Sequence, residues 1–165
     1  MNKLDQLKSM AQSAACADSG VYLISTFVGR ILDWHLKAGG KSAIEPGQDP
    51  GVQSVTQIYN YCKQHDFTTV VMSASFRNTG EIEQFAGRDR STINLQLMEA
   101  SVADENLLTR KLDPAHRVGI RDRLSLDEES FRWMMNEDAT ATEKLAEGIR
   151  LFARDQEKPG SRLVA

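Results

Sequence analysis

The chain has 165 residues, is 41% hydrophobic and 26% charged, and carries a formal net charge of -3. That length and apolar content suit a single globular domain over residues 1–165, and the acidic excess excludes an extended polyanion-binding surface, so no nucleic-acid partner is expected. No apolar run is long enough to cross a bilayer and the first residues lack the apolar centre of a secretion signal, so no membrane partner and a cytoplasmic location are expected.

Residues 3–18 are rich in Leu, Met, Ala, Gln and Lys, good helix formers, and Gly20 follows as a stop. The apolar run from Val21 predicts a strand, VYLISTF, which passes through Gly29 and Arg30 into ILDWHL. There the apolar spacing becomes helical, until Gly39 and Gly40 end it. Two prolines and four glycines between positions 39 and 51 mark a loop. A helix over 52–65 follows, with Val55, Ile58, Tyr59 and Cys62 on one face.

Residues 69–75, TVVMSAS, are apolar or β-branched on both faces, the composition of a buried parallel strand. A short helix closed by Gly87, a weaker strand over 91–95 and a helix over 97–108 come next. Residues 111–124 contain Pro114 and read as irregular, and Ser125 with Glu128 matches a capping box ahead of FRWMM. Trp133, Met134 and Met135 read as packing residues. The last helix, 140–157, carries Leu145, Ile149 and Phe152 on one stripe and is expected to stop at Pro159 and Gly160.

About three strands alternating with helices predict a parallel α/β layer. So few strands leave two apolar edges, which invite pairing with a second copy of the chain or with a complementing chain.

The functional signal lies where two of these strands end. One closes on Ser25, Phe27 and Arg30, the other on Ser75, Phe76, Arg77 and Asn78. In a parallel α/β protein those ends share one face, so two hydroxyls and two guanidinium forks can converge there on an anion such as a sugar phosphate. The bland alternative is surface arginines paired with nearby acids such as Asp33 or Glu81. Cys16 and Cys62 have no CxxC or Cys/His metal spacing and read as reduced structural thiols, so neither a metal nor another cofactor is expected. His35, His65 and His116 have no partner at a catalytic spacing and read as surface residues. Lys3, Lys8, Lys37, Lys41, Lys63, Lys111, Lys144 and Lys158 fall in stretches read as polar helices or loops. None resembles a Schiff-base lysine, which projects from a strand into a dry pocket.

Four motifs in order, VYLISTFVGRILDW (21–34), DPGV (49–52), VVMSASFRN (70–78) and KLAEGIR (144–150), resemble the C-terminal half of transaldolase. The resemblance implies part of a (β/α)8 TIM barrel and a family chemistry of dihydroxyacetone transfer between sugar phosphates through a lysine Schiff base. It also implies a phosphate pocket at Arg30, Ser75 and Arg77, with Ser25 and Phe27 beside the reacting carbonyl. The family's lysine and its acid/base carboxylates precede the matching region, so no catalytic residue is expected here and the chain should be inactive alone. The opening MNKLDQLK resembles the family's own N-terminus, which implies an internal deletion near Ser9. Thr26, Ser73 and the pair Asn94 and Leu95 depart from the family pattern.

Overall fold

A computed structural model of the chain describes residues 3–7, 9–40, 42–115 and 122–163. Its sheet has four strands in chain order, all parallel: β1 (Lys3–Leu7), β2 (Leu23–Phe27), β3 (Val70–Ala74) and β4 (Arg90–Thr92). β1 leads to α1 (Met10–Asp18), and β2 leads directly to α2 (Val28–Gly39), followed by a 3-10 turn (Pro46–Gln48) and α3 (Pro50–Gln64). β3 leads to α4 (Thr79–Glu83) and β4 to α5 (Leu95–Ala103), after which come α6 (Glu128–Glu137) and α7 (Ala139–Leu163). Four consecutive strand–helix units are half of the eight that close a (β/α)8 barrel. The α/β partial barrel expected from the sequence is therefore present, with one strand more than the composition suggested.

That extra strand is β1. Residues 3–7 are good helix formers, yet they pair with β2, Lys3 opposite Leu23 and Leu7 opposite Thr26. Tertiary pairing overrides local propensity because Leu7 packs into the core, and the helix has its own start two residues on. The Ser9 hydroxyl accepts from the Gln12 N–H at 3.1 Å while the Gln12 side chain accepts from the Ser9 N–H at 3.2 Å, a reciprocal cap. Lys3 thus lies on a strand rather than a helix, at the end remote from the strand C-termini. Lys8, Lys41 and His116 fall outside the described residues.

Along a strand successive side chains face opposite sides. Ile24 of β2 and Val71 of β3 face the helices and join Val28, Val55, Ile58, Tyr59, Cys62, Phe76 and Phe85 in the core. Burial there pushes the Cys62 thiol up to about 12, which fits an inert structural cysteine. The opposite face carries Ser25, Phe27, Met72, Ala74 and Thr92, the side that lines the interior of a closed barrel.

Several boundaries differ from the sequence pattern for local reasons. β4 stops at Thr92 because the Asn94 side chain accepts from the Leu97 N–H at 2.9 Å and starts α5 early. Asp127, not Ser125, caps α6, accepting from the Ser130 N–H at 2.8 Å. α7 continues through Pro159 and Gly160 to Leu163, past the stop that the sequence suggested. Trp133 is 66% exposed and does not pack.

Candidate functional site: a cleft at the strand ends

α2 follows β2 without a loop, so Arg30 sits in the first turn of the helix, directly above the strand end. Its guanidinium lies over the Phe27 ring, 4.8 Å from the ring centre, which holds the side chain against the rim. β3 ends in a turn whose Ser75 has φ +63, a left-handed conformation that a non-glycine residue adopts only when its surroundings enforce it. Here two donors converge on one carbonyl: the Gly29 N–H and the Arg77 Nη1 each reach the Ser75 oxygen at 3.0 Å. Arg77 Nη1 also donates to the Ser75 hydroxyl at 3.1 Å. A Cβ at Gly29 would lie 2.3 Å from the Ser75 oxygen and 2.8 Å from the Arg77 guanidinium carbon, so only glycine permits this contact between α2 and the turn.

The remaining nitrogens of Arg77 meet Asp33, one helical turn beyond Arg30. Nε donates to Oδ1 at 3.1 Å and Nη2 to Oδ2 at 2.5 Å, a bidentate pair. The Asp33 hydrogen bond raises the Arg77 pKa, against the opposing effect of burial, so the guanidinium is permanently charged. Arg30, Asp33 and Arg77 line a cleft of about 430 Å³ whose far wall is α7, through Lys144, Glu147, Leu151, Phe152 and Asp155. Three cations and three acids therefore share the cleft, and Lys144 donates to Glu147 at 2.6 Å. The position of α7 is fixed at its start by the Trp34 indole N–H, which donates to Glu143 at 2.7 Å.

Behind the turn lies a buried carboxyl, Glu81, with no exposed surface. One oxygen accepts from the Arg77 backbone N–H at 2.9 Å, the other from the Asn78 amide at 3.0 Å. The Asn78 oxygen in turn accepts from the Glu81 N–H at 2.9 Å and caps α4. Burial, opposed by the Arg77 N–H and reinforced by the charge of Asp49, pushes Glu81 up to about 7. Asp49 itself is buried at the start of α3, its Oδ1 accepting from the Gly51 N–H at 2.7 Å.

All five residues singled out in the sequence thus lie at the C-terminal ends of β2 and β3. Arg30 and Arg77 line one cleft, and Ser75 touches Arg77. Ser25 is fully buried on the barrel-interior face, two residues before Phe27, and its hydroxyl has no partner among the described residues. Thr26 and Ser73, the departures from the family pattern, stand opposite each other across β2 and β3 on the helix-facing side, away from Ser25 and Phe27. The pair between Arg77 and Asp33 is the alternative the sequence offered for these arginines, and Glu81, the other acid named there, bonds the Arg77 backbone rather than its guanidinium. The α7 wall and the burial of Glu81 had no signal in the sequence.

Half a (β/α)8 barrel, with an arginine-lined cleft at its strand C-termini, is the class of protein that this fold and site define. Comparison with known proteins narrows it. The profile of the transaldolase/fructose-6-phosphate aldolase family matches residues 7–163, and the chain belongs to that family. It is 59% identical over 155 residues to a transaldolase of Marinomonas sp. (strain MWYL1), covering 94% of this chain and 48% of the relative. It is 58% identical over 152 residues to a transaldolase of Rhizobium etli (strain CIAT 652), covering 92% of this chain and 47% of the relative. The chain spans about half the length of these curated relatives. Among the described residues, no helix is long and apolar enough to cross a membrane.

Proposed function

We propose that this chain is the phosphate-holding half of a transaldolase-type barrel. It takes the phosphate of a sugar phosphate between Arg30, Ser75 and Arg77, with Ser25 and Phe27 facing the carbon chain. The observation that carries this reading is the shared cleft: both guanidiniums line it, at the strand ends where barrel enzymes place their ligands. An entering phosphate competes with Asp33 for the Arg77 fork, while Ser75 keeps hold of Nη1 and preserves the aim of the side chain. The chain is expected to perform no transfer alone: among the described residues Lys63, on α3, is paired with Asp89, and Lys144, although it lines the cleft, is carried by α7 rather than by a strand and is paired with Glu147.

Calorimetric titration with fructose 6-phosphate tests the first half. Binding that is lost in Arg77→Ala supports it, and equal binding by both proteins refutes it. Borohydride reduction in the presence of the same sugar tests the second half, since a dihydroxyacetone adduct on any lysine overturns it.

A second reading concerns the partner. At the β4 edge, α5 leaves Leu95, Met98 and Val102 exposed, at 70%, 48% and 81%, where a closed barrel would place its next strand–helix unit. A second copy or a complementing half-barrel seated there would pair the open edge and cover those side chains.

A further inference from the structure

We propose that Glu81 is a positioning residue: its buried carboxylate holds the Ser75–Arg77 turn in the conformation that presents both residues to the cleft, so anion affinity follows its ionisation. This inference rests on the anion-binding reading of that cleft. Glu81 touches neither the cleft nor a ligand. It acts through two hydrogen bonds, from the Arg77 backbone N–H at 2.9 Å and from the Asn78 amide at 3.0 Å, and so spans both residues that follow the turn.

Three features argue for this role over that of an ordinary capping acid. Ser75 at φ +63 is strained, and the strain persists only while its neighbours are held. Glu81 is wholly buried, where a carboxyl is retained at a desolvation penalty and an apolar residue would be more comfortable. Its two oxygens are divided between two donors on the same turn, so protonating Oε2 weakens the bond from the Arg77 N–H and protonating Oε1 the bond from the Asn78 amide.

The charged groups acting on Glu81 are Asp49 at the start of α3, Arg77 beside it and Asp33 on α2. Glu45, next to the 3-10 turn, and Glu99, on α5, belong to the other elements packed against α4 and are both exposed. With those neighbours Glu81 changes charge near pH 7, so the turn tightens as the pH rises through neutrality.

Sulfate is the suitable probe, because unlike phosphate it keeps its charge across this range. In the full chain, sulfate affinity measured by calorimetry is expected to rise about fivefold between about pH 6 and pH 8, the equivalent of one charge-assisted hydrogen bond. Glu81→Gln should bind more weakly at pH 8 and vary less than about twofold over the same range. The Arg77 backbone amide, followed by nuclear magnetic resonance without any anion, should titrate near pH 7 in the parent and not in the variant.

An unchanged sulfate profile in the variant, or an Arg77 amide that does not titrate in the parent, overturns the inference. Absence of sulfate binding at every pH refutes the anion-binding reading instead, and the amide titration then still decides the role of Glu81. The parent's own profiles serve as the test if the variant does not fold.

Discussion

The Asp33 carboxylate grips the Arg77 guanidinium through two nitrogens, Nε at 3.1 Å and Nη2 at 2.5 Å, and Ser75 takes the third. Every nitrogen of the side chain is thus engaged without a ligand. Asp33 stands where an anion's oxygens would otherwise bind, and its side chain is 52% exposed, so water screens the pair and an incoming dianion can displace it. Asp33→Asn is therefore expected to raise sulfate affinity about threefold to tenfold. Weaker binding in this variant would show that Asp33 aims Arg77 instead of competing for it.

Gly29 makes the contact between α2 and the β3 turn, and a methyl group there would meet a backbone oxygen at 2.3 Å. Backbone cannot rotate aside as a flexible side chain can. Gly29→Ala should lower stability by about 2–4 kcal/mol in urea unfolding, through the separation of α2 from the turn. Anion binding should fall with it, since Arg30 and Arg77 ride on the two sides of that contact. A loss under about 0.5 kcal/mol, the range of ordinary surface changes, would place the contact outside the fold's stability.

The strands that carry the site were legible because VYLISTF and TVVMSAS are apolar or β-branched on both faces, the composition of a strand between two layers. β1 was not, because KLDQL favours a helix and only its register against β2 makes it a strand. The arginines could be located by their place just beyond the apolar runs. Lys144 and Glu147, which share the cleft with them, could not, because they come from α7 and reach it only through the tertiary fold. Glu81 was visible as an acid three residues after Asn78, but nothing in a single sequence separates a buried carboxyl from a solvated one. The α7 stop failed because it was argued from Pro159 and Gly160 alone, and the helix runs on to Leu163.

Ionisation of Glu81 has opposite effects on binding and on stability. Its pKa in the fold, about 7, lies above the usual 4.5, so between those values the folded chain holds a proton that the unfolded chain has released. The stabilisation is fully present below pH 4.5 and is lost as the pH rises through 7. Across that window the parent should lose on the order of 2–3 kcal/mol relative to Glu81→Gln, which has no proton to release. Urea unfolding of both proteins at several pH values checks this, and parallel stability curves would refute it. Affinity rising while stability falls is the pattern of a carboxyl kept for what it positions.

The exposed stripe on α5 yields the prediction about assembly. Leu95, Met98 and Val102 recur at helical spacing and lie on the helix that follows the edge strand β4, whereas α3 buries Val52, Val55, Ile58, Tyr59 and Cys62. A helix that leaves its apolar side in water beside a strand whose outer edge has no partner among the described residues lacks the neighbour that would cover both. At micromolar concentration the chain should therefore sediment as a dimer or larger species, and Leu95→Asp with Val102→Asp should make it a monomer. Because both positions are exposed in the single chain, the double variant should keep its unfolding free energy per chain within about 1 kcal/mol at concentrations where both proteins are monomeric. A parent that sediments as a compact monomer at every concentration removes the case for self-pairing. Sedimentation with an added N-terminal half-barrel of the family then tests whether that fragment is what covers the stripe.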